Sequence, residues 1–361
     1  MASTDNKETI KITLDDLANV TLPGAALPNA APQPVAPGAK TYGSISSTAD
    51  QSAEASEERG RFSFVLQGWF YLGSAGLLGA IVGWAICEPA FIDSHEFHRW
   101  GNTWMMPLIL MFICLGFGVA ESLVERSAKK ALIKGAMALP LGIVFGFIFD
   151  VIANVIYNIA LGIIASAGVQ SIRNPAAWLA RGVGWMVFGV AGGVVYGIIG
   201  QSGKKAKFGI LGGMIGAGLG GLLFDPIFLI RGSNASGAGI SRVIGFALLG
   251  MSTGIAMGLV ESALKDRWLY VTAGPLAGKQ FILYKTQTLM GSQQQSDIYL
   301  FKDPAILPQH AVIEINGARV QLRALGNVYV SGQPAASRVL QDGDLIQIGR
   351  YSFRYKEKHR S

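Results

Sequence analysis

Cysteine is nearly absent from this chain, with only Cys87 and Cys114 among 361 residues. Each lies at or inside an apolar run. That excludes a disulfide framework and any cysteine-based metal spacing, and leaves both as expected packing residues. Histidine is equally scarce, with four in all, and none has a plausible acid/base constellation around it. A glycine-rich phosphate loop ending in Lys-Ser/Thr, a nucleophile elbow and the kinase signatures are missing as well. No enzyme activity, cofactor or metal is therefore expected. Charge is the third scarcity: Asp, Glu, Lys and Arg make up 15% of the chain, against 50% hydrophobic residues and 47 glycines. That composition is far from the average of a soluble domain.

The amino-terminal part lacks an apolar core. Residues 1–62 are rich in Ala, Pro, Ser and Thr, which reads as a disordered tail. No basic start leads into an apolar run and a small-residue cleavage site, so no removable secretory signal is expected and the tail should stay in the cytosol. Its threonines Thr4, Thr9, Thr13, Thr21 and Thr41 are candidates for a regulatory ligand.

What is abundant is long apolar sequence. Six runs, at 64–87, 103–124, 135–157, 182–200, 208–230 and 241–260, each approach the roughly 20 helical residues needed to cross a hydrocarbon core of about 30 Å. Backbone groups in lipid must be satisfied within their own segment, so helices are expected. Basic residues fall on one side of these runs: Arg59 and Arg61, then Arg126, Lys129, Lys130 and Lys134, then Lys204, Lys205 and Lys207, then Lys265 and Arg267. The opposite loops carry only Arg99, Arg173, Arg181, Arg231 and Arg242. The positive-inside bias puts both termini in the cytoplasm of a multi-pass protein of a bacterial-type inner membrane. The net charge of +7 is then mostly topological, and nucleic acid is not expected as a partner.

The runs are related to one another. "RGVGWMVFGVAGGVVYGIIGQS" from Arg181 aligns without gaps on "RVIGFALLGMSTGIAMGLVESA" from Arg242, and "SAKKALIKGAMALPLGIVFGFIFDVI" from Ser127 lies over "SGKKAKFGILGGMIGAGLGGLLFDPI" from Ser202. The unit of helix, Lys-Lys turn and helix occurs twice and then half again, as a parallel repeat. Small residues four apart let helices approach closely where no hydrophobic force draws them together. A tightly packed glycine-zipper bundle is expected, with a pore or substrate path as the alternative.

Intramembrane charge is the candidate chemistry of this part. Asp150 and Asp225 occupy matching places in the repeat, and each is followed by an arginine at the start of the next copy, Arg181 and Arg242. Two readings stand: structural pairs of Asp150 with Arg181 and Asp225 with Arg242, or capping, near the outer interface, against an ion or proton path that includes Asn154 and Asn158. Glu121 and Glu261 are expected to be helix-end partners of the basic turns. In the first outer loop Asp93, His95, Glu96 and His98 are types that hold a divalent metal; a solvated loop anchored by Trp100 and Trp104 is the preferred reading, so no metal is assigned.

From Trp268 the pattern shortens to brief runs rich in Val, Ile, Leu and Tyr, separated by Gly, Pro, Asn and Asp. That is the pattern of an all-β sandwich. The ordered series "GKQFIL", "MGS" with "SDIYL", "DPAILPQHA", "VYVSGQP" and "LQDGDLIQIGRYSF" resembles the forkhead-associated (FHA) domain, a sandwich whose loops at one end read phosphothreonine peptides. The resemblance covers about a quarter of the chain. It implies a turn at Gly343 and Asp344, a glycine at Gly291, and a histidine, His310, that braces the binding loop. The recognition residues depart from the family. Its Gly-Arg is Gly291-Ser292 here; its Ser-Arg-x-His is Leu307-Pro308-Gln309-His310; its Asn-Gly is displaced as Gly326-Asn327. Phosphate needs charge-assisted donors, and a serine hydroxyl does not replace a guanidinium. Contact with an unphosphorylated protein through Ser292, Gln293, Leu307, Gln309 and Asn327 is expected to outweigh phosphothreonine binding.

The sequence thus reads as a tail at 1–62, a six-helix transmembrane domain at 63–265 and a cytoplasmic FHA-like sandwich at 266–357. The expected role is a membrane scaffold or signalling adaptor that recruits a protein partner, with homo-oligomerisation left open. A channel or transporter regulated by the sandwich, and a structural part of a larger membrane complex, are the rival readings.

Overall fold

A computed structural model of the chain describes residues 63–92, 100–168, 171, 173–231 and 235–358. The tail at 1–62 and the loop bearing Asp93, His95, Glu96 and His98 lie outside the described residues. Among the described residues six long α-helices precede the strands: α1 (Gly68–Cys87), α2 (Trp100–Val124), α3 (Ala128–Ser166), α4 (Pro175–Ile199), α5 (Gly203–Arg231) and α6 (Ala235–Leu264). All six are long and apolar enough to cross a membrane.

The helices extend beyond the apolar runs because their ends are capped in polar sequence. Ser127 Oγ accepts from Lys130 N at the start of α3, and Ser202 Oγ accepts from Lys205 N at the start of α5, so each Ser-x-Lys-Lys turn opens a helix. Asn174 caps α4 through Ala176 N, with Pro175 at the first position, where its missing N–H is harmless.

Each helix packs on its neighbours in sequence, and α6 returns to α1, closing a ring. Large side chains including Leu110, Ile113, Phe117, Trp185, Phe188 and Val195 fill its interior. Between α4 and α5 the backbones nearly touch: a Cβ on Gly189 would lie 2.1 Å from the carbonyl oxygen of Gly213. Between α1 and α6 a Cβ on Gly76 would lie 2.1 Å from Gly250 O. Without a side chain at these points, dispersion contact extends along the facing helices.

After α6 the chain turns directly into a β-sandwich. Its strands are β1 (Arg267–Ala273), β2 (Gln280–Ile282), β3 (Gln287–Gly291), β4 (Ile298–Tyr299), β5 (Ala311–Asn316), β6 (Arg319–Ala324), β7 (Val328–Val330), β8 (Gln333–Pro334), β9 (Ser337–Val339), β10 (Leu345–Ile348) and β11 (Tyr351–Glu357). One sheet runs β2-β1-β11-β10-β7-β8 and the other β4-β3-β5-β6-β9. Pairing is antiparallel except between β3 and β4. Alternation sets the core: Tyr351, Phe353 and Tyr355 of β11 point inward, against Leu269, Met290, Ile313 and Leu322. This core contains no residue of the helices.

Candidate functional site

Three loops meet at one end of the sandwich: 292–297 after β3, 300–310 after β4, and 325–327 after β6. Backbone bonds join them. Ser292 N donates to Leu307 O at 2.9 Å, His310 N donates to Met290 O at 2.8 Å, and Leu325 N donates to His310 O at 2.8 Å. The buried His310 ring completes the junction, since its Nδ1 accepts from Leu307 N and its Nε2 donates to Asn327 O, both at 3.0 Å. A Cβ on Gly326 would meet the imidazole at 2.5 Å and one on Gly291 would meet Pro308 O at 2.0 Å. The glycines therefore make room for the lock that the histidine closes.

Asp303 ties the second loop to the β10–β11 turn, accepting from Arg350 N at 2.9 Å and Ala305 N at 3.0 Å. Those backbone donors, Arg350 first, hold its carboxyl below the ordinary carboxylate value. Gly343 stands at φ +93°, in the left-handed region that glycine tolerates. Asp344 beside it accepts from Gln341 N at 2.9 Å and from Ser331 Oγ at 3.0 Å.

These contacts bring Ser292, Gln293, Leu307, Gln309 and Asn327 to one edge. Leu307, Gln309 and Asn327 are exposed there, Gln293 is exposed, and Ser292 is half-buried. Part of the same edge is already engaged by the helices. Ser127 Oγ, at the α2–α3 turn, donates to Gln294 O at 3.2 Å, while Gln294 Oε1 accepts from Lys129 N at 3.3 Å. Lys130 Nζ donates to Asp297 O at 3.0 Å.

A buried ion pair anchors that contact. Lys279 Nζ lies 2.9 Å from Glu125 Oε1, and the other carboxylate oxygen accepts from Lys130 Nζ at 3.2 Å. On the far side of the junction the Tyr284 hydroxyl bonds to the Glu261 carboxylate, which also accepts from Tyr196. Burial, and then the Glu261 charge, raise the Tyr284 phenol well above its ordinary value. Lys205 and Lys134 both reach Glu121, at 2.8 and 3.2 Å. A cavity of about 350 Å³ lies among these groups, and its cations and carboxylates largely neutralise one another. Nothing in the spacing of Glu125 and Lys279 signals their meeting; an isolated lysine before the apolar "QFIL" is the one trace.

The intramembrane pairs differ from those expected. Arg181 Nε donates to both oxygens of Asp225, at 2.9 and 3.0 Å, and its Nη2 donates to the Tyr157 hydroxyl at 3.2 Å. The guanidinium lies between the rings of Tyr157 and Phe224. Arg242 instead reaches Glu88, at the end of α1, at 2.6 Å. Asp150 has Asn154, one turn on, as its side-chain partner, at 3.1 Å. The expected pairs Asp150–Arg181 and Asp225–Arg242 are thus corrected. The reason is the ring: α5 faces α4 across the glycine contact, and α6 closes on α1, so each arginine meets a carboxylate from its spatial neighbour. The expected partnership of Glu121 with the basic turns is seen, and Glu261 lies near Lys205 of the same turns while accepting hydrogen bonds from Tyr284 and Tyr196. Among the described residues no group of three or more His, Cys, Asp or Glu side chains could hold a metal.

Comparison with known proteins converges on the sandwich. The family described as the inner membrane component of T3SS, cytoplasmic domain, matches residues 270–359. An oxoglutarate dehydrogenase inhibitor of Corynebacterium efficiens is 40% identical over 86 residues, 23% of this chain and 60% of that protein. The glycogen accumulation regulator GarA of Mycolicibacterium smegmatis is 36% identical over 86 residues, 23% of this chain and 54% of that protein. Among solved structures, the FHA domain of CT664 from Chlamydia trachomatis is 28% identical, with 26% of this chain and 100% of that chain covered and a TM-score of 0.25. The cytoplasmic domain of the T3SS sorting platform protein PscD from P. aeruginosa is 25% identical, with 27% and 83% covered and a TM-score of 0.24. The chain spans little more than half the length of the curated relatives it matches. Its carboxyl-terminal sandwich is an FHA domain.

Proposed function

We propose that the chain is a membrane-anchored adaptor, which recruits a protein partner through the free part of its FHA edge while the helices hold that edge in place. The observation that carries the reading is the division of the edge: Gln294 and Asp297 are engaged by the α2–α3 turn, and Leu307, Gln309 and Asn327 are exposed beside them. An edge braced by His310 and fixed to a bundle presents a preorganised surface, which lowers the entropic cost of binding. The relatives support a protein partner, one of them being by name an inhibitor of a dehydrogenase. Lys129, Lys130, Lys134, Lys204 and Lys207 lie at the sandwich end of the bundle, which by the positive-inside rule is the cytoplasmic face of an inner membrane.

A phosphate-independent contact fits the residues best. Ser292 and Pro308 stand where the family carries arginines, so the edge is without those two charge-assisted donors to a phosphothreonine. The matching family's description as an inner membrane component favours a second, compatible reading, in which the partner belongs to a larger membrane assembly. A channel is disfavoured by the apolar side chains that fill the ring. The test is cross-linking capture from membranes with the full chain and with Leu307→Glu/Gln309→Glu. A partner retained by the native chain and lost from the variant supports the reading; an unchanged capture profile rejects it.

A further inference from the structure

The least covered helix is α3, in which 22% of the membrane-spanning stretch is buried, against 39–67% for the others. Its 39 residues make it about 58 Å long at 1.5 Å per residue. One face of α3 carries Asp150, Asn154 and Asn158, one turn apart. Asn154 and Asn158 are exposed and Asp150 is half-buried, and they stand beside the exposed Ile148, Val151, Val155 and Ile159.

Asp150 and Asn154 of this ladder lie at membrane depth, and Asn158 stands just past the apolar run at 135–157. Lys134 of the same helix reaches Glu121 at the sandwich end, and Tyr157 reaches Arg181 near the other end. Asp150 and Asn154 fall between those levels, Asp150 about 24 Å along the axis from Lys134. Among the described residues, the hydrogen bonds of the three side chains stay within α3. Asn154 Nδ2 donates to Asp150 O at 2.9 Å and Oδ1 at 3.1 Å, and Asn158 Nδ2 donates to Asn154 O at 2.7 Å. The Asn154 and Asn158 carbonyl oxygens and one N–H of Asn158 are thus left without a partner on α3, and around Asn154 hydrocarbon offers none. Polar groups on a lipid-facing surface are expensive, and pairing across helices relieves the cost.

We propose that the Asp150–Asn154–Asn158 face of α3 is the contact through which two copies of this chain pair in the membrane. The inference rests on the bundle lying in a bilayer and is independent of what the FHA edge binds. A second copy fits because an amide is at once donor and acceptor. Two chains inserted with the same orientation, related by a two-fold along the membrane normal, bring Asn154 to Asn154 and Asn158 to Asn158 at equal depth. The Asn158 pair satisfies itself, and the Asn154 pair does so when its Nδ2 gives up one of its two Asp150 acceptors, as a buried asparagine pairs at a coiled-coil seam. The β-branched residues on either side supply stiff surfaces for close packing at low entropy cost. The same placement makes Asp150 a surface group of one copy rather than part of a path through its ring.

The test uses the full chain in two arms. In lipid nanodiscs, dilution followed by subunit counting should give a dimer whose dissociation constant rises at least about fivefold in Asn154→Leu/Asn158→Leu, from two interhelical hydrogen-bond pairs at about 0.6 kcal/mol each. In native membranes, Asn158→Cys with a short bismaleimide should link two copies, whereas Leu219→Cys, exposed on α5, should not. Cys87 and Cys114 are buried and give little background. A native chain that stays monomeric, a double variant with unchanged affinity, or a cross-link to a different protein or to none would overturn the proposal. If the leucine variant does not insert, the cysteine arm decides alone.

Discussion

Lys279 of the sandwich and Glu125 at the end of α2 form an ion pair of 2.9 Å, with side chains only 2% and 4% exposed. The pair joins the two halves of the protein away from water. Such a pair contributes little against an apolar substitute, but removing one member strands a buried charge at a cost of about 3–5 kcal/mol. Glu125→Gln is therefore expected to release the sandwich from the bundle, because Lys279 and Lys130 lose a shared counter-charge. Spin labels placed on the sandwich and on α4 should show a broadened distance distribution in the variant. The double change Glu125→Leu/Lys279→Met should restore the narrow one, and a narrow distribution in Glu125→Gln would remove the pair from the docking account.

The two repeated aspartates should behave differently. Asp225→Asn breaks a partly buried pair and leaves the Arg181 guanidinium with only Tyr157 and Phe224 against it. A loss of about 3 kcal/mol is expected, read as a lower melting temperature in detergent. Asp150→Asn removes no ion pair and should change the stability of the isolated monomer by less than about 0.5 kcal/mol. Ion flux in vesicles should be negligible for the native chain and for both variants, because the ring is filled. Conductance abolished by either substitution would restore the channel reading.

How much of this was legible differs between the halves. The helices and the strands of the sandwich follow from hydropathy and short-range patterning, because lipid and a sheet core each impose a period on one chain segment. The helix starts at Ser127 and Ser202 are hidden in the sequence because the lysines that follow read as loop, although a serine cap can start a helix in polar sequence. His310 and Gly291 stood out through a motif with fixed order. The pairs Arg181–Asp225, Arg242–Glu88 and Lys279–Glu125 did not, since each depends on which helices become neighbours in the closed ring or where the sandwich comes to rest. The repeat suggested equivalent partners for the two aspartates, but α3 and α5 occupy different surroundings: α5 is flanked by glycine-lined helices, whereas α3 turns its polar ladder outward.

Phosphothreonine binding is the sharpest check on the FHA edge. A fragment from Trp268 contains the entire sandwich core and is expected to fold alone. Its affinity for phosphothreonine peptides should be weak, close to that for the unphosphorylated peptides, as no guanidinium stands at Ser292 or Pro308. Isothermal titration with matched peptide pairs measures the difference. Tight binding that disappears on dephosphorylation would show that other cations take the place of the missing arginines.

Acid should loosen the same edge. The Asp303 carboxyl is held below its ordinary value chiefly by the Arg350 N–H, so its contribution to stability is fully present above the unfolded-state value of about 4. It is lost as pH falls through the lower folded-state value. Asp303→Asn should lower the melting temperature of the fragment near pH 7. The gap from the native fragment should close as the pH drops below about 4, and a gap independent of pH would mean that the charged form of Asp303 does not hold the loop.

The contact between α4 and α5 gives a sign and a position for the glycine requirement. A Cβ on Gly189 would sit 2.1 Å from Gly213 O, which is backbone and has no side chain that can rotate away. Substitution must therefore push the helices apart, and the loss spreads along the whole facing surface rather than staying at one residue. Overpacking of this kind costs about 1–3 kcal/mol or more, so Gly189→Val should melt well below the native protein in detergent. Gly162→Ala, at a helical glycine with nothing within 4 Å of the added Cβ, should be neutral or slightly stabilising because alanine is the better helix former. If the two substitutions had equal effects, helix propensity rather than backbone approach would govern these glycines. A Gly189→Val protein that melts like the native one would mean that the ring does not depend on the close contact of α4 and α5.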